Sequence, residues 1–387
     1  MNSELVERVR LRLAGAGAGT DPATVADAVR AEAGRPVGHT EALDALRLIR
    51  QELAGAGPLE PLLALPGVTD VLVTGPDDVW VDGAGGLRRA DAHFEGEEGV
   101  RRLAQRLALA AGRRLDDAQP YVDGWLPGLG PHGRVRLHAV LPPIAADGTC
   151  ISLRILRPAV HDLAALRELG TFGAEGAELV ESVVAARLAF LVTGGTGAGK
   201  STLLAAMLGA VSPAERIVCV EDAAELQPAH PQFVRLTARP PNVEGAGEVG
   251  LRDLVRQALR MRPDRLVVGE VRGQEVCELL NALNTGHDGS AGTLHANSTA
   301  EVPARLEALA ALGGLSRGAL HSQLAAAVQV VLHMRRSSSG QRELAEVGVL
   351  SRSDNGDVRV LPVWQDGGWT KRQVLFSALL PRGGESC

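Results

Sequence analysis

Apolar and polar positions alternate in two textures along the chain. Residues 41–53 place apolar side chains at helical spacing and stop at Gly55-Ala56-Gly57-Pro58, a run that ends helices. Short β-rich pieces follow. Val68-Thr69-Asp70-Val71-Leu72-Val73 and Asp78-Val79-Trp80-Val81 are predicted strands, punctuated by Gly75-Pro76 and Asp82-Gly83. A helix is expected over residues 97–112. Strands return around 134–141 and 149–156, split by Pro142-Pro143 and Asp147-Gly148. This mixture predicts an α+β domain over residues 39–157. Residues 158–176 read as a linker. Beyond it the texture changes. Residues 177–186 are a predicted helix, and Leu188-Ala189-Phe190-Leu191-Val192-Thr193 is an unbroken apolar run. Ile217-Val218-Cys219-Val220 and Leu266-Val267-Val268 repeat that pattern. Unbroken apolar strands belong to parallel sheets covered on both faces. Helices expected at 202–208, 250–261 and 273–284 alternate with them, predicting a doubly wound α/β domain of the RecA kind over residues 177–387. Residues 1–38 read as a helical extension, a short amphipathic helix and a second one divided by a Gly/Ala-rich break.

Composition narrows the class. With 387 residues there is room for two or three domains, and 45% hydrophobic with 22% charged residues fits a water-soluble globular chain. A net charge of −6 gives no bulk footprint for nucleic acid. Cys150, Cys219, Cys277 and Cys387 contain no Cys-x-x-Cys pair, so they read as core thiols rather than a metal site. The first fifteen residues, MNSELVERVRLRLAG, scatter charges where a signal peptide needs an apolar stretch. No run reaches the length of about 18 apolar residues that spans a bilayer. A link to a membrane is therefore expected to run through a partner.

The candidate chemistry lies in the second domain. Gly194-Gly195-Thr196-Gly197-Ala198-Gly199-Lys200-Ser201 matches G-x-x-x-x-G-K-[ST] between a predicted strand and a predicted helix. Glycines let backbone N–H groups turn toward phosphate oxygens, Lys200 can reach the β- and γ-phosphates, and Ser201 can offer a hydroxyl to Mg²⁺. Three polar clusters follow. Glu221-Asp222-Ala223-Ala224-Glu225 comes directly after a strand, where parallel sheets present ligand crevices. Leu266-Val267-Val268-Gly269-Glu270-Val271-Arg272 delivers Glu270 from an apolar strand, placed to orient water or hold metal-bound water. A salt bridge from Glu270 to Arg272 is the structural alternative. Thr285-Gly286-His287-Asp288-Gly289-Ser290 runs on to Thr293-Leu294-His295-Ala296-Asn297. His295, beside the Gly292-Thr293-Leu294 strand signal, is the better candidate of the two histidines for sensing the γ-phosphate.

These four clusters, in this order, resemble the type II/type IV secretion ATPase superfamily, with its Walker A loop, Asp box, Walker B segment ending in Gly-Glu and His box. The resemblance extends over residues 40–350 and points to the Tad/Flp pilus-assembly branch, which is associated with conjugal transfer. It rests on Gly57-Pro58-Leu59-Glu60-Pro61-Leu62-Leu63, Gly112-Arg113-Arg114-Leu115-Asp116 and Pro120-Tyr121-Val122-Asp123. Arg239-Pro240-Pro241-Asn242-Val243-Glu244-Gly245 and Leu259-Arg260-Met261-Arg262-Pro263-Asp264 carry it further. It implies a C-terminal RecA-like P-loop NTPase domain after a smaller α+β, PAS-like domain, with ATP and Mg²⁺ as ligands. Lys200, Ser201 and Thr202 then match the Walker A, Glu225 the Asp-box acid, Glu270 the Walker B glutamate and His295 the His box. The resemblance also implies that Arg136 and Arg154 reach the γ-phosphate and that Arg262 lies near the nucleotide. Gly269 stands where many Walker B motifs carry aspartate, leaving Mg²⁺ to Ser201, with Glu270 in its outer shell. No tetracysteine zinc module is present. The loop Trp125-Leu126-Pro127-Gly128-Leu129-Gly130-Pro131-His132-Gly133 is longer than the family's short turn.

The function so implied is a homohexameric, cytoplasmic motor at the inner face of the membrane. It would hydrolyse ATP to drive pilus assembly or secretion through inner-membrane platform proteins. A conjugation-like DNA-transfer ATPase, a P-loop small-molecule kinase and a nucleotide-binding scaffold without turnover are the alternatives.

Overall fold

The computed structural model describes residues 55–83, 85–129, 134–155, 161–239, 241, 246–337 and 340–381, together with Arg8, Arg12, Ala31 and Glu32. The helix expected at 41–53, almost all of the 1–38 extension, Asn242 to Gly245 and Cys387 lie outside these residues. The chain divides into two compact units, Met1–Arg157 and Pro158–Cys387.

In the first unit a single turn, Gly57–Leu59, leads into the short helix α1 (Glu60–Leu63). Strands β1 (Val68–Gly75), β2 (Asp78–Gly83) and β3 (Arg88–Arg89) follow, then helix α2 (Gly96–Ala110) and strands β4 (Tyr121–Pro127), β5 (Arg134–Val140) and β6 (Cys150–Ile155). All six strands form one antiparallel sheet in the order β3-β2-β1-β6-β5-β4. The two-residue period decides its faces. Val71, Val73, Leu137, Ala139, Ile151 and Leu153 point inward and are buried. Helix α2 offers them Val100, Leu103, Ala104, Leu107 and Ala108, an apolar stripe at three- and four-residue spacing. The alternate positions form an open concavity of about 470 Å³, lined by Asp70, Leu72, Asp123, Arg136, His138, Ser152 and Arg154. The expected long loop at 125–133 is corrected at its start. Trp125, Leu126 and Pro127 belong to β4 and pair with Arg136, Val135 and Arg134 of β5.

The second unit opens with α3 (Leu163–Glu168) inside the segment read as linker. The Asp162 side chain caps it by accepting from the Ala165 N–H at 2.7 Å. Next come α4 (Ala174–Ala185), β7 (Phe190–Gly194), α5 (Lys200–Gly209), β8 (Ile217–Glu221), β9 (Phe233–Thr237), α6 (Leu251–Ala258) and β10 (Arg265–Val271). The chain continues through α7 (Val276–Leu283), β11 (Ala291–Leu294), α8 (Val302–Leu312), α9 (Arg317–Ala327) and β12 (Val330–Arg336). It ends in β13 (Arg342–Arg352), β14 (Val358–Gln365), β15 (Gly368–Trp369) and α10 (Gln373–Ser377). One sheet takes all nine strands in the order β15-β14-β13-β12-β7-β11-β10-β8-β9. From β12 to β9 every pairing is parallel, and β13 to β15 extend the sheet in antiparallel fashion.

Alternate residues of β7 feed two cores. Phe190 and Val192 pack with Leu179 of α4 and Leu203 and Leu204 of α5. Leu191 packs with Val255 of α6, Leu279 of α7, Leu306 of α8 and Leu324 of α9. Helices thus cover both faces, which explains the unbroken apolar runs. Among the described residues no helix is long and apolar enough to cross a membrane.

Candidate nucleotide-binding site

Strand β7 carries the glycine-rich loop from the middle of the sheet, bonded to β11 on one side and β12 on the other. It ends at Gly194, whose φ of +146° suits only glycine. A Cβ there would sit 2.3 Å from the Met334 carbonyl oxygen of β12. At Gly195 and Gly197 the place of a Cβ is open. The loop is therefore braced against the sheet at its start and bare where backbone N–H groups can meet phosphate. Gly199, at φ +98°, hands the chain to α5 without a capping side chain. The first N–H groups of a helix have no intrahelical partner and favour an anion.

Around that cradle, Thr196 is exposed, Ala198 is buried, and Ser201 and Thr202 stand half-buried in the first turn of α5. The Lys200 ammonium donates to the carbonyls of Gly194 and Gly195, at 3.0 and 3.1 Å. Burial pulls its pKa down. Glu270 opposes that, Arg272 adds to it, and Glu225 opposes it again.

The carboxyl ends of neighbouring parallel strands bring the other predicted groups to the same edge. Glu270, half-buried near the end of β10, is ion-paired with Arg272. The Arg272 guanidinium also lies 3.9 Å from Asp222, just past β8. Glu225 is exposed on the turn after β8. His295 is the exposed residue directly after β11. Leu294 is in register with Thr193 of β7 and Val271 of β10, so His295 stands level with the start of the loop. Among the described residues no cluster of three or more His, Cys, Asp or Glu side chains is arranged to hold a metal. A hydroxyl at Ser201 and a carboxylate at Glu270 suit a hard cation that takes its remaining ligands from phosphate and water.

Other predicted residues are placed elsewhere. Arg262, exposed and at φ +54°, precedes the start of β10 and sits at the opposite edge of the sheet from Glu270. Strand direction thus separates Arg262 from the glycine-rich loop of its own chain. His287 lies before β11, with Nδ1 3.1 Å from the Ala282 carbonyl, and is likewise at the amino end. Arg136 and Arg154 belong to the first unit, directly opposite each other on β5 and β6. Arg136 grips both oxygens of Asp123, at 2.9 and 2.8 Å, and lies 5.9 Å over the Trp125 ring. Arg154 donates to Asp70 at 2.9 Å.

Sequence reasoning missed three groups. Arg342 of β13 donates from Nε to the Gly197 carbonyl at 3.0 Å, brought to the loop by a hairpin that no local motif announces. His333 of β12 is buried, with Nδ1 3.0 Å from the Thr193 hydroxyl. Burial chiefly, then the nearby Arg335, lowers its pKa, so the neutral ring is favoured. Glu221, the last residue of β8, is 3% exposed, and burial raises its pKa to about 7. Its usual value is 4.5, so between pH 4.5 and 7 the folded chain keeps a proton that the unfolded chain has released. Stability therefore falls as pH rises through that window, by roughly 3 kcal/mol from this group. Glu221→Gln removes the titration. Urea unfolding from pH 5 to 8 is expected to show a smaller decline for Glu221→Gln than for the wild type. Parallel declines would refute this assignment.

Residues 52–359 match the profile of the family described as type II/IV secretion system protein. A Mycobacterium tuberculosis H37Rv protein, provisionally named as a conjugal transfer protein, is 68% identical over 329 residues, covering 85% of this chain and 93% of its own. The type IV secretion system protein PtlH of Bordetella pertussis is 30% identical over 314 residues, covering 73% of this chain and 90% of its own. The crystal structure of the Legionella pneumophila ATPase DotB shares the fold. Its TM-score is 0.53 at 20% identity, over 75% of this chain and 78% of that one. The profile match runs through both units, and this chain is an ATPase of the type II/IV secretion superfamily.

Proposed function

We propose that this secretion-superfamily ATPase is a homohexameric motor of the Tad/Flp pilus-assembly type. It would work in the cytoplasm at the inner face of the membrane and pass its stroke to membrane platform proteins. The observation that carries the reading is the shared edge. The loop with Lys200 leaves the middle of the nine-stranded sheet, and Glu225, Glu270 and His295 stand at or just past the carboxyl ends of its parallel strands β8, β10 and β11.

In this reading the second unit is the RecA-like engine and the first its PAS-like companion. Loop N–H groups and Lys200 bind the β- and γ-phosphates. Glu270 orients the attacking water for in-line displacement, while Glu225 and His295 respond to the γ-phosphate. Mg²⁺, held by the Ser201 hydroxyl with Glu270 outside it, would neutralise charge between β- and γ-oxygens. Arg136 and Arg154 are the proposed source of positive charge for the transition state, from the same chain or a neighbouring copy. Either must first exchange its aspartate partner for phosphate.

A site completed by oligomerisation predicts a specific activity that rises with protein concentration until the assembly saturates. Steady-state phosphate release across a dilution series, without any acceptor added, checks this. A flat profile argues against completion by a neighbour, and dependence on an added acceptor would favour a kinase. A second reading, a DNA-transfer motor, is favoured by the conjugal transfer name of the Mycobacterium tuberculosis relative. The net charge of −6 speaks against a direct grip on DNA. Strongly salt-dependent duplex binding would support that reading.

A further inference from the structure

We infer that Glu221, backed by Arg235, is the positioning residue that fixes the turn presenting Glu225 to the nucleotide. The inference rests on the reading of Glu225 as an active group and deepens it.

The turn from Asp222 to Leu226 has no regular structure of its own. Glu221 supplies its anchor. One carboxylate oxygen, Oε1, accepts from the Glu225 N–H at 3.0 Å and from the Leu226 N–H at 2.9 Å. The side chain curls back over its own turn, as a carboxylate does when it replaces missing backbone partners. From β9, Arg235 holds the same turn at its other pole, donating from Nη2 to the Leu226 carbonyl. Its Nε lies 3.4 Å from Glu221 Oε2. Both N–H groups and the closing carbonyl of the turn are thus fixed by buried Glu221 and half-buried Arg235 together.

The neighbouring strand makes room for this. Val220 of β8 is in register with Val268 of β10, which puts Glu221 level with Gly269. A Cβ at position 269 would stand 2.6 Å from Glu221 Cγ. The glycine in place of a Walker B aspartate is therefore the space that the Glu221 side chain occupies. An acidic group buried at a cost in desolvation, with a glycine opposite to admit it, is better explained by the turn it organises than by packing.

The test is a set of ATPase measurements on the full chain. Glu221→Ala removes the acceptor, and Glu221→Asp withdraws it by one methylene while keeping the charge. Each is expected to lower kcat by about 10- to 100-fold, the scale of a misplaced catalytic group. KM should change little, because the phosphate loop is untouched. Glu221→Gln keeps an acceptor oxygen and should retain at least about half of the wild-type kcat. In a Glu225→Gln background the Glu221→Asp change should add almost nothing, since the group it positions is already disabled. Undiminished kcat in Glu221→Asp overturns the inference, as do losses at 221 and 225 that multiply independently. A Glu225→Gln enzyme with wild-type kcat overturns the reading of Glu225, and this inference with it.

Discussion

Lys200→Ala is expected to lower kcat/KM for ATP by about 10³-fold, the upper range for loss of one preorganised electrostatic donor. The ammonium is held 3.0 and 3.1 Å from two loop carbonyls, so its position is set before phosphate arrives. Arg342 also reaches the loop, but its Nε is engaged with the Gly197 carbonyl. Lys200→Arg should not restore activity, because a planar guanidinium cannot reproduce a compact charge between those oxygens. The fold should survive both changes. Burial already disfavours the charged form of Lys200, so its removal relieves a desolvation cost. The thermal midpoint without nucleotide should stay near the wild-type value, while the rise produced by ATP disappears. A Lys200→Ala protein that keeps that rise would sink the assignment of Lys200 to the phosphates.

The second large effect is at Glu270. Glu270→Gln should bind ATP within a few-fold of wild type and lose about 10²- to 10³-fold in kcat, within the span ascribed to a positioned base. Glutamine preserves the volume and one acceptor for Arg272, so the ion-pair partner stays in place. It lacks the charge and basicity needed to orient and polarise water. Arg272 complicates the chemistry in a useful way. Because it also approaches Asp222 at 3.9 Å, it can move toward that carboxylate when Glu270 turns to water. Single-turnover hydrolysis with pre-bound ATP separates the two steps. Unchanged single-turnover rates in Glu270→Gln would remove Glu270 from the chemistry.

Much of the second unit was legible because its central strands are buried on both faces. That burial writes unbroken apolar runs such as the one entering Gly194, and the loop motif marks the sheet centre. The antiparallel extension, β13 to β15, left no such mark. β14 mixes buried Val358, Val360, Val363 and Trp364 with exposed or half-buried neighbours and carries Pro362 within it. Strand β9, at the sheet edge, has no fully buried residue. In the first unit, β4 hides behind Asp123, Gly124 and Pro127, residues that usually mark turns. Helix α3, six residues long, is too short to display a helical period. At the site, the strand signal beside His295 already favours it over His287 in the sequence. The two flank a four-residue strand, and its direction puts His295, not His287, level with the loop. Glu221 looked like the first of several acids on a charged turn. Its role depends on β9 and β10, which lie beside it only after folding.

The contact between Glu221 and Gly269 also constrains how this sequence can change. An aspartate at 269 meets Glu221 Cγ first, so that substitution is barred in the present background. Shortening Glu221 beforehand would clear the space but release the turn it holds. A lineage moving between the two acidic arrangements must therefore cross an intermediate weaker than either end. The two positions are epistatic, and the order of mutations decides whether the crossing is open.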